Sequence, residues 1–74
     1  MEKKILDIMN TVLENRNKKR IEFLKSELHL RNDIGFDSFD LAELTVRIEA
    51  EYDIDIFEDG LVNTVNEIFV KLNS

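Results

Sequence analysis

Residues 33–52 read DIGFDSFDLAELTVRIEAEY, and the spacing inside this stretch decides the fold. From Leu41 the apolar positions continue at Leu44, Ile48 and Tyr52, at helical intervals. At about 100° per residue these four side chains fall within roughly 80° of arc, the compact core stripe of one amphipathic helix. Gly35 interrupts the pattern just before that helix. Asp37 or Ser38 can cap its N-terminus, and Asp40 sits in the first turn, where the helix dipole favours a carboxylate. Asp53 and Asp55 end it. The opposite face is unusual. Phe39, Glu43, Val46 and Ala50 cluster within about 60° of one another, flanked by Asp40 and Arg47. Scattered surface apolar residues are common, but apolar anchors rimmed by charge are also what docking surfaces use.

The same periodicity extends outward. Ile5, Ile8, Met9, Val12 and Leu13 make one stripe and predict a helix over residues 2–14. The polar run from Asn15 to Arg20 ends it. Residues 21–36 read as a long connection anchored by Ile21, Phe23, Leu24, Leu28, Leu30 and Ile34, with a short helix over 21–27 as an option. Residues 58–62 fit one short helical turn. Thr64 and Glu67 form a T-x-x-E capping box that opens a last helix, with Val65, Ile68, Phe69 and Leu72 inward. The chain has no proline and only two glycines, and no segment alternates long enough for a sheet. The expectation is one all-α unit over residues 1–74: a four-helix bundle of three longer helices and one short one, with a long loop between the first two.

Composition narrows the function. Seventy-four residues cannot both bury a core and enclose a deep catalytic pocket, since small-molecule pockets occupy roughly 300–1,000 Å3. No cysteine is present, which excludes disulfides, thiolate metal sites and native thiol chemistry, and fits a reducing compartment. No apolar run resembles a signal peptide or a membrane span, so a soluble cytoplasmic protein is expected. The net charge of −6 is unevenly spread: residues 1–31 carry +3 and residues 32–74 carry −9. So acidic a second half repels nucleic acid and anionic lipid and attracts basic partners.

Several motifs fail on inspection. His29 is the sole histidine and has no cysteine or second histidine with which to share zinc. A Ser38–His29–Asp triad would need an oxyanion hole and a cleft that so short a chain can barely supply. Asp53, Asp55, Glu58, Asp59 and Gly60 suggest a calcium loop, but Phe57 and Glu58 stand where an EF-hand needs an acid and a glycine. Two glycines exclude the usual phosphate-cradling loops. No metal site and no catalytic residue is expected.

What remains is Asp33-Ile34-Gly35-Phe36-Asp37-Ser38-Phe39-Asp40. This octapeptide resembles the signature D-L-G-x-D-S-L-D of the acyl carrier protein family, which includes aminoacyl and peptidyl carriers. The similarity continues through Glu43, Leu44, Ile48, Glu49, Glu51, Tyr52, Asp53 and Ile56 to Thr64 and Val65. The resemblance implies a non-catalytic carrier in which Ser38, next to the motif residue Asp37, receives a 4′-phosphopantetheine arm from coenzyme A through a separate phosphopantetheinyl transferase. Acyl or aminoacyl cargo would then ride as a thioester to acyl-transferring, condensing or ligase enzymes. By position, the resemblance implies that Asp37, Phe39, Asp40, Glu43, Val46 and Glu49 meet basic patches on those enzymes, with the carrier a monomer. Phe39 replaces the family's leucine, Phe36 occupies a position that is often small, and Arg47 interrupts the acidic helix. These departures point as much to polyketide, peptide, aminoacyl or cell-envelope synthesis as to fatty acid synthesis. Two other readings remain: an unmodified helical interaction module using Phe39 and Val46, and a small hydrolase using Ser38 and His29.

Overall fold

The computed structural model describes residues 2–58, 60 and 62–73. Its first helix, α1, spans Glu2–Asn15 and buries Ile5, Met9, Val12 and Leu13 completely. Asn17 ends it in the left-handed region at φ 57°, which asparagine tolerates better than most residues. The Lys18 and Asn17 amides then donate to the Leu13 and Glu14 carbonyls at 2.8 and 3.1 Å, a Schellman closure with asparagine in the usual glycine position.

The long connection that follows holds no helix over residues 21–27, so that expectation is corrected. The segment is anchored instead by polar bonds. Asn10, almost fully buried on α1, donates to the Ile21 carbonyl at 2.9 Å and accepts the Ile21 amide at 2.7 Å. Phe23, expected among the anchors, is 72% exposed. Further on, the Leu30 amide donates to the Asn63 carbonyl at 2.8 Å, and the Val65 amide to the Leu28 carbonyl at 3.0 Å. They flank an isolated antiparallel bridge between His29 and Thr64.

A short π-helical turn, Leu30–Ile34, comes next. Local side chains enforce it: the Asp33 carboxylate accepts the His29 amide at 2.7 Å, and His29 Nδ1 accepts the Asn32 amide at 3.3 Å. Gly35 closes the turn at φ 93°, a conformation that disfavours a side chain. Leu30, Ile34 and Phe36 turn into the core.

Helix α2 spans Ser38–Tyr52 and buries Leu41, Leu44 and Ile48, with Tyr52 half-buried. Helix α3 spans Val65–Asn73, burying Val65, Ile68 and Leu72. The Thr64–Glu67 capping box is formed, with Glu67 Oε1 accepting the Thr64 amide at 3.1 Å and Thr64 Oγ1 accepting the Glu67 amide at 3.3 Å. Among the described residues the architecture is therefore an all-α bundle of three longer helices and one short one. The short element precedes α2. Of the short turn expected over residues 58–62, Asp59 and Leu61 lie outside the described residues, and Ile56 to Glu58 form a turn. Among the described residues no helix is long and apolar enough to cross a membrane.

Candidate functional site

The site is built on the N-terminus of α2. Asp37 is its N-cap, and the capping box is reciprocal: Asp37 Oδ1 accepts the Asp40 amide and Asp40 Oδ2 accepts the Asp37 amide, both at 3.0 Å. Two of the helix's otherwise unpaired donors are thus satisfied. Ser38, the first helical residue, is left exposed. Its hydroxyl oxygen accepts a hydrogen bond from Arg31 Nη2 at 3.2 Å.

Asp40 corrects the sequence expectation. Placed by resemblance on the partner face, it is 0% exposed. Its Oδ2 pairs with Lys18 Nζ, and its Oδ1 lies 3.3 Å from Arg16 Nη1 without forming a hydrogen bond. The physical reason is helical phase. Asp40 lies one turn before Leu44 and two before Ile48, on the core stripe, and the two cations following α1 make burial of its charge tolerable. Lys18 Nζ also donates to the Gly35 carbonyl at 3.0 Å, so one ammonium joins the turn before Ser38 to the helix after it.

The other expected partner residues fall on or near one face of α2. Phe39 and Val46 are 77% and 64% exposed, and Glu49 is exposed. Arg16 Cζ lies 6.0 Å from the centre of the Phe39 ring, the outer limit of a cation–π contact. Asp37 Oδ2 is 3.1 Å from Arg16 Nη2 and 3.6 Å from Lys18 Nζ. The hydrogen bond from the Asp40 amide, helped by these two cations against some desolvation, holds the Asp37 carboxyl below its ordinary value. Glu43 accepts from Arg47 Nε at 2.8 Å and Asn15 Nδ2 at 3.1 Å. The Arg47 hydrogen bond is the main cause of its lowered pKa. The acids beside Ser38 are thus largely neutralised within the chain, a feature that net charge by region did not disclose.

Ser38 opens onto a cleft of about 440 Å3 lined by Arg31, Leu41, Ala42, Thr45, Asp55 and Phe57. Its exposed lining is mostly carbon. Sequence reasoning missed Arg31 here, because a residue on the preceding turn carries no helical spacing relative to α2. His29 does not complete a hydrolytic pair. Its Nδ1 accepts the Asn32 amide, and the hydroxyl's partner is Arg31.

An exposed serine at the start of a buried-stripe helix, above an apolar cleft, defines a helical module that presents a side chain rather than enclosing a substrate. The comparisons give that class its family. The family model "phosphopantetheine attachment site" matches residues 3–68. "Acyl carrier protein 3" of Ralstonia nicotianae is 29% identical over 72 residues, covering 95% of this chain and 83% of that protein. No solved structure gives a significant match. The chain belongs to the phosphopantetheine attachment-site family of carrier proteins. It is a non-catalytic carrier whose prosthetic group is 4′-phosphopantetheine, and its family works with phosphopantetheinyl transferases and biosynthetic enzymes. The residues present fit that group: an accessible hydroxyl, a guanidinium touching it and an apolar cleft beside it.

Proposed function

We propose that Ser38 is the attachment point, and that the chain carries acyl or aminoacyl intermediates as thioesters on the arm it bears. The observation that carries the reading is the Ser38 hydroxyl itself, exposed on the first residue of α2 and open to the cleft. Attachment replaces the hydroxyl proton with the phosphopantetheinyl group of coenzyme A and releases adenosine 3′,5′-bisphosphate. The chain has no cysteine, so the arm supplies the thiol that its own residues lack, and partner enzymes supply the catalysis.

Phe39, Val46 and Glu49 form the docking face for those partners, with Asp37 and Glu43 at its edge. Because Arg16, Lys18 and Arg47 already pair with the neighbouring acids, apolar contact through Phe39 and Val46 supplies more of the affinity than charge does. Basic patches on transferases and on condensing or ligase enzymes are met chiefly by Glu49. The replacement of the family's leucine by Phe39 and the interruption at Arg47 fit specialised biosynthesis, polyketide or aminoacyl, at least as well as fatty acid synthesis. The carrier works as a monomer in the cytoplasm.

Intact mass tests the assignment. The protein is incubated with coenzyme A, magnesium and a broad-specificity phosphopantetheinyl transferase. A gain of one phosphopantetheine, absent in Ser38→Ala, is expected. A gain that persists in Ser38→Ala would overturn the assignment of Ser38 by moving the arm to another residue. No gain even with the transferase from the protein's own source would overturn the carrier reading in favour of an unmodified interaction module.

A further inference from the structure

A phosphodiester on Ser38 places a negative charge at the first residue of α2, one residue from the Asp37 carboxylate. Arg16 and Lys18, the cations paired with Asp37, are shared with buried Asp40. Arg31 differs from both. Among the described residues it forms no ion pair, whereas Arg16, Arg20 and Arg47 each face a carboxylate. It donates a hydrogen bond from Nη2 to Ser38 Oγ, which uses one donor of a fork that has several. The backbone beneath it is fixed. Leu30 is fully buried on one side, the Asn32 amide is held by His29 Nδ1 on the other, and Gly35 closes the turn.

We infer that Arg31 is the positioning residue for the phosphate of the arm on Ser38. The inference rests on Ser38 being the attachment point. A planar guanidinium can offer two parallel N–H donors to phosphate oxygens, a match that a lysine ammonium lacks. The neutral hydroxyl accepts from this cation in the unmodified chain, and the charged diester is the stronger acceptor. Arg31 and Ser38 line the same cleft with Leu41, Ala42 and Phe57, so a phosphate held by Arg31 roots the arm at the mouth of that cleft instead of leaving it free on the surface.

The test uses the full chain as wild type, Arg31→Lys and Arg31→Ala, each loaded to completion and checked by intact mass. The readout is the phosphorus-31 resonance of the diester. In loaded wild type it is displaced from its position in the urea-unfolded protein. The displacement shrinks as salt rises from about 10 mM to about 1 M and the screening length falls from about 30 Å to about 3 Å. Arg31→Ala loses both the displacement and its salt dependence, while Arg31→Lys keeps part of each. The Arg31 side-chain Nε–H signal of wild type moves on loading. Amide spectra overlaying those of wild type show that both variants remain folded, as expected for an exposed side chain. If loaded Arg31→Ala keeps the wild-type resonance at low salt, the inference is overturned and the assignment of Ser38 stands. If wild type gains no mass, both fall.

Discussion

Asp37 is at once a helix cap and half of an ion pair, and its ionisation feeds into stability. A carboxyl whose folded pKa is depressed stabilises the native state above its unfolded value, near about 3.9 for aspartate, and that contribution is lost as pH falls through the folded value. Asp37, held down first by the Asp40 amide, and Glu43, held down first by Arg47, both act in this direction. Urea titrations at a series of pH values should therefore show stability falling below about pH 4, and Asp37→Asn with Glu43→Gln should flatten the fall. Asp40 matters for a different reason. Its carboxylate is wholly enclosed and relies on Lys18 and Arg16. Lys18→Met leaves it with Arg16 alone. The expected loss is about 2 kcal/mol, less than the roughly 3–5 kcal/mol of a fully buried pair, because Lys18 keeps some access to water. Gly35→Ala meets no neighbour within 4 Å but must hold φ 93°, so its cost is conformational, about 1 kcal/mol. Urea midpoints would check both values.

At the level of elements, the three longer helices were legible because each carries an apolar stripe at helical spacing, and the T-x-x-E box marked the start of α3. The connection was not legible, because polar bonds without a period hold it. Asn10 grips both the amide and the carbonyl of Ile21. It lies among the core positions of α1, where its polarity hid it. Asn10→Ala leaves both Ile21 groups without their partner, and a loss of about 2 kcal/mol in urea unfolding is expected. The π-helical turn was hidden likewise, since it depends on His29 and Asp33 folding back on their own backbone. Its position before α2 brings Arg31 to Ser38. The family was therefore readable from the octapeptide, while the contacts around Ser38 were not. Asp40 was placed on the partner face by its position in the family motif, although its phase with Leu44 and Ile48 put it on the buried stripe.

Across the whole molecule, the basic first half and the acidic second half meet. Lys4 pairs with Glu51 at 3.0 Å, joining α1 to α2, and Arg16 and Lys18 reach the N-terminus of α2. This pairing leaves the proposed docking face with Phe39 and Val46 as its exposed apolar residues. Phe39→Ala should change stability by no more than about 0.5 kcal/mol. It should still raise the transferase KM for the carrier several-fold, the cost of roughly 1 kcal/mol of lost docking contact. Kinetics with the unmodified protein as substrate would measure it. The suture between the connection and α3 has a consequence in the time domain. The Leu30 and Val65 amides bond to carbonyls far away in the chain, so neither fraying of an end nor melting of one helix releases them together. Their hydrogens should exchange with solvent only through global opening, at a free energy equal to that from urea, while the amides around exposed Phe23 exchange much sooner. Those two hydrogens would serve as internal clocks for unfolding, readable in the same sample before and after the arm is attached.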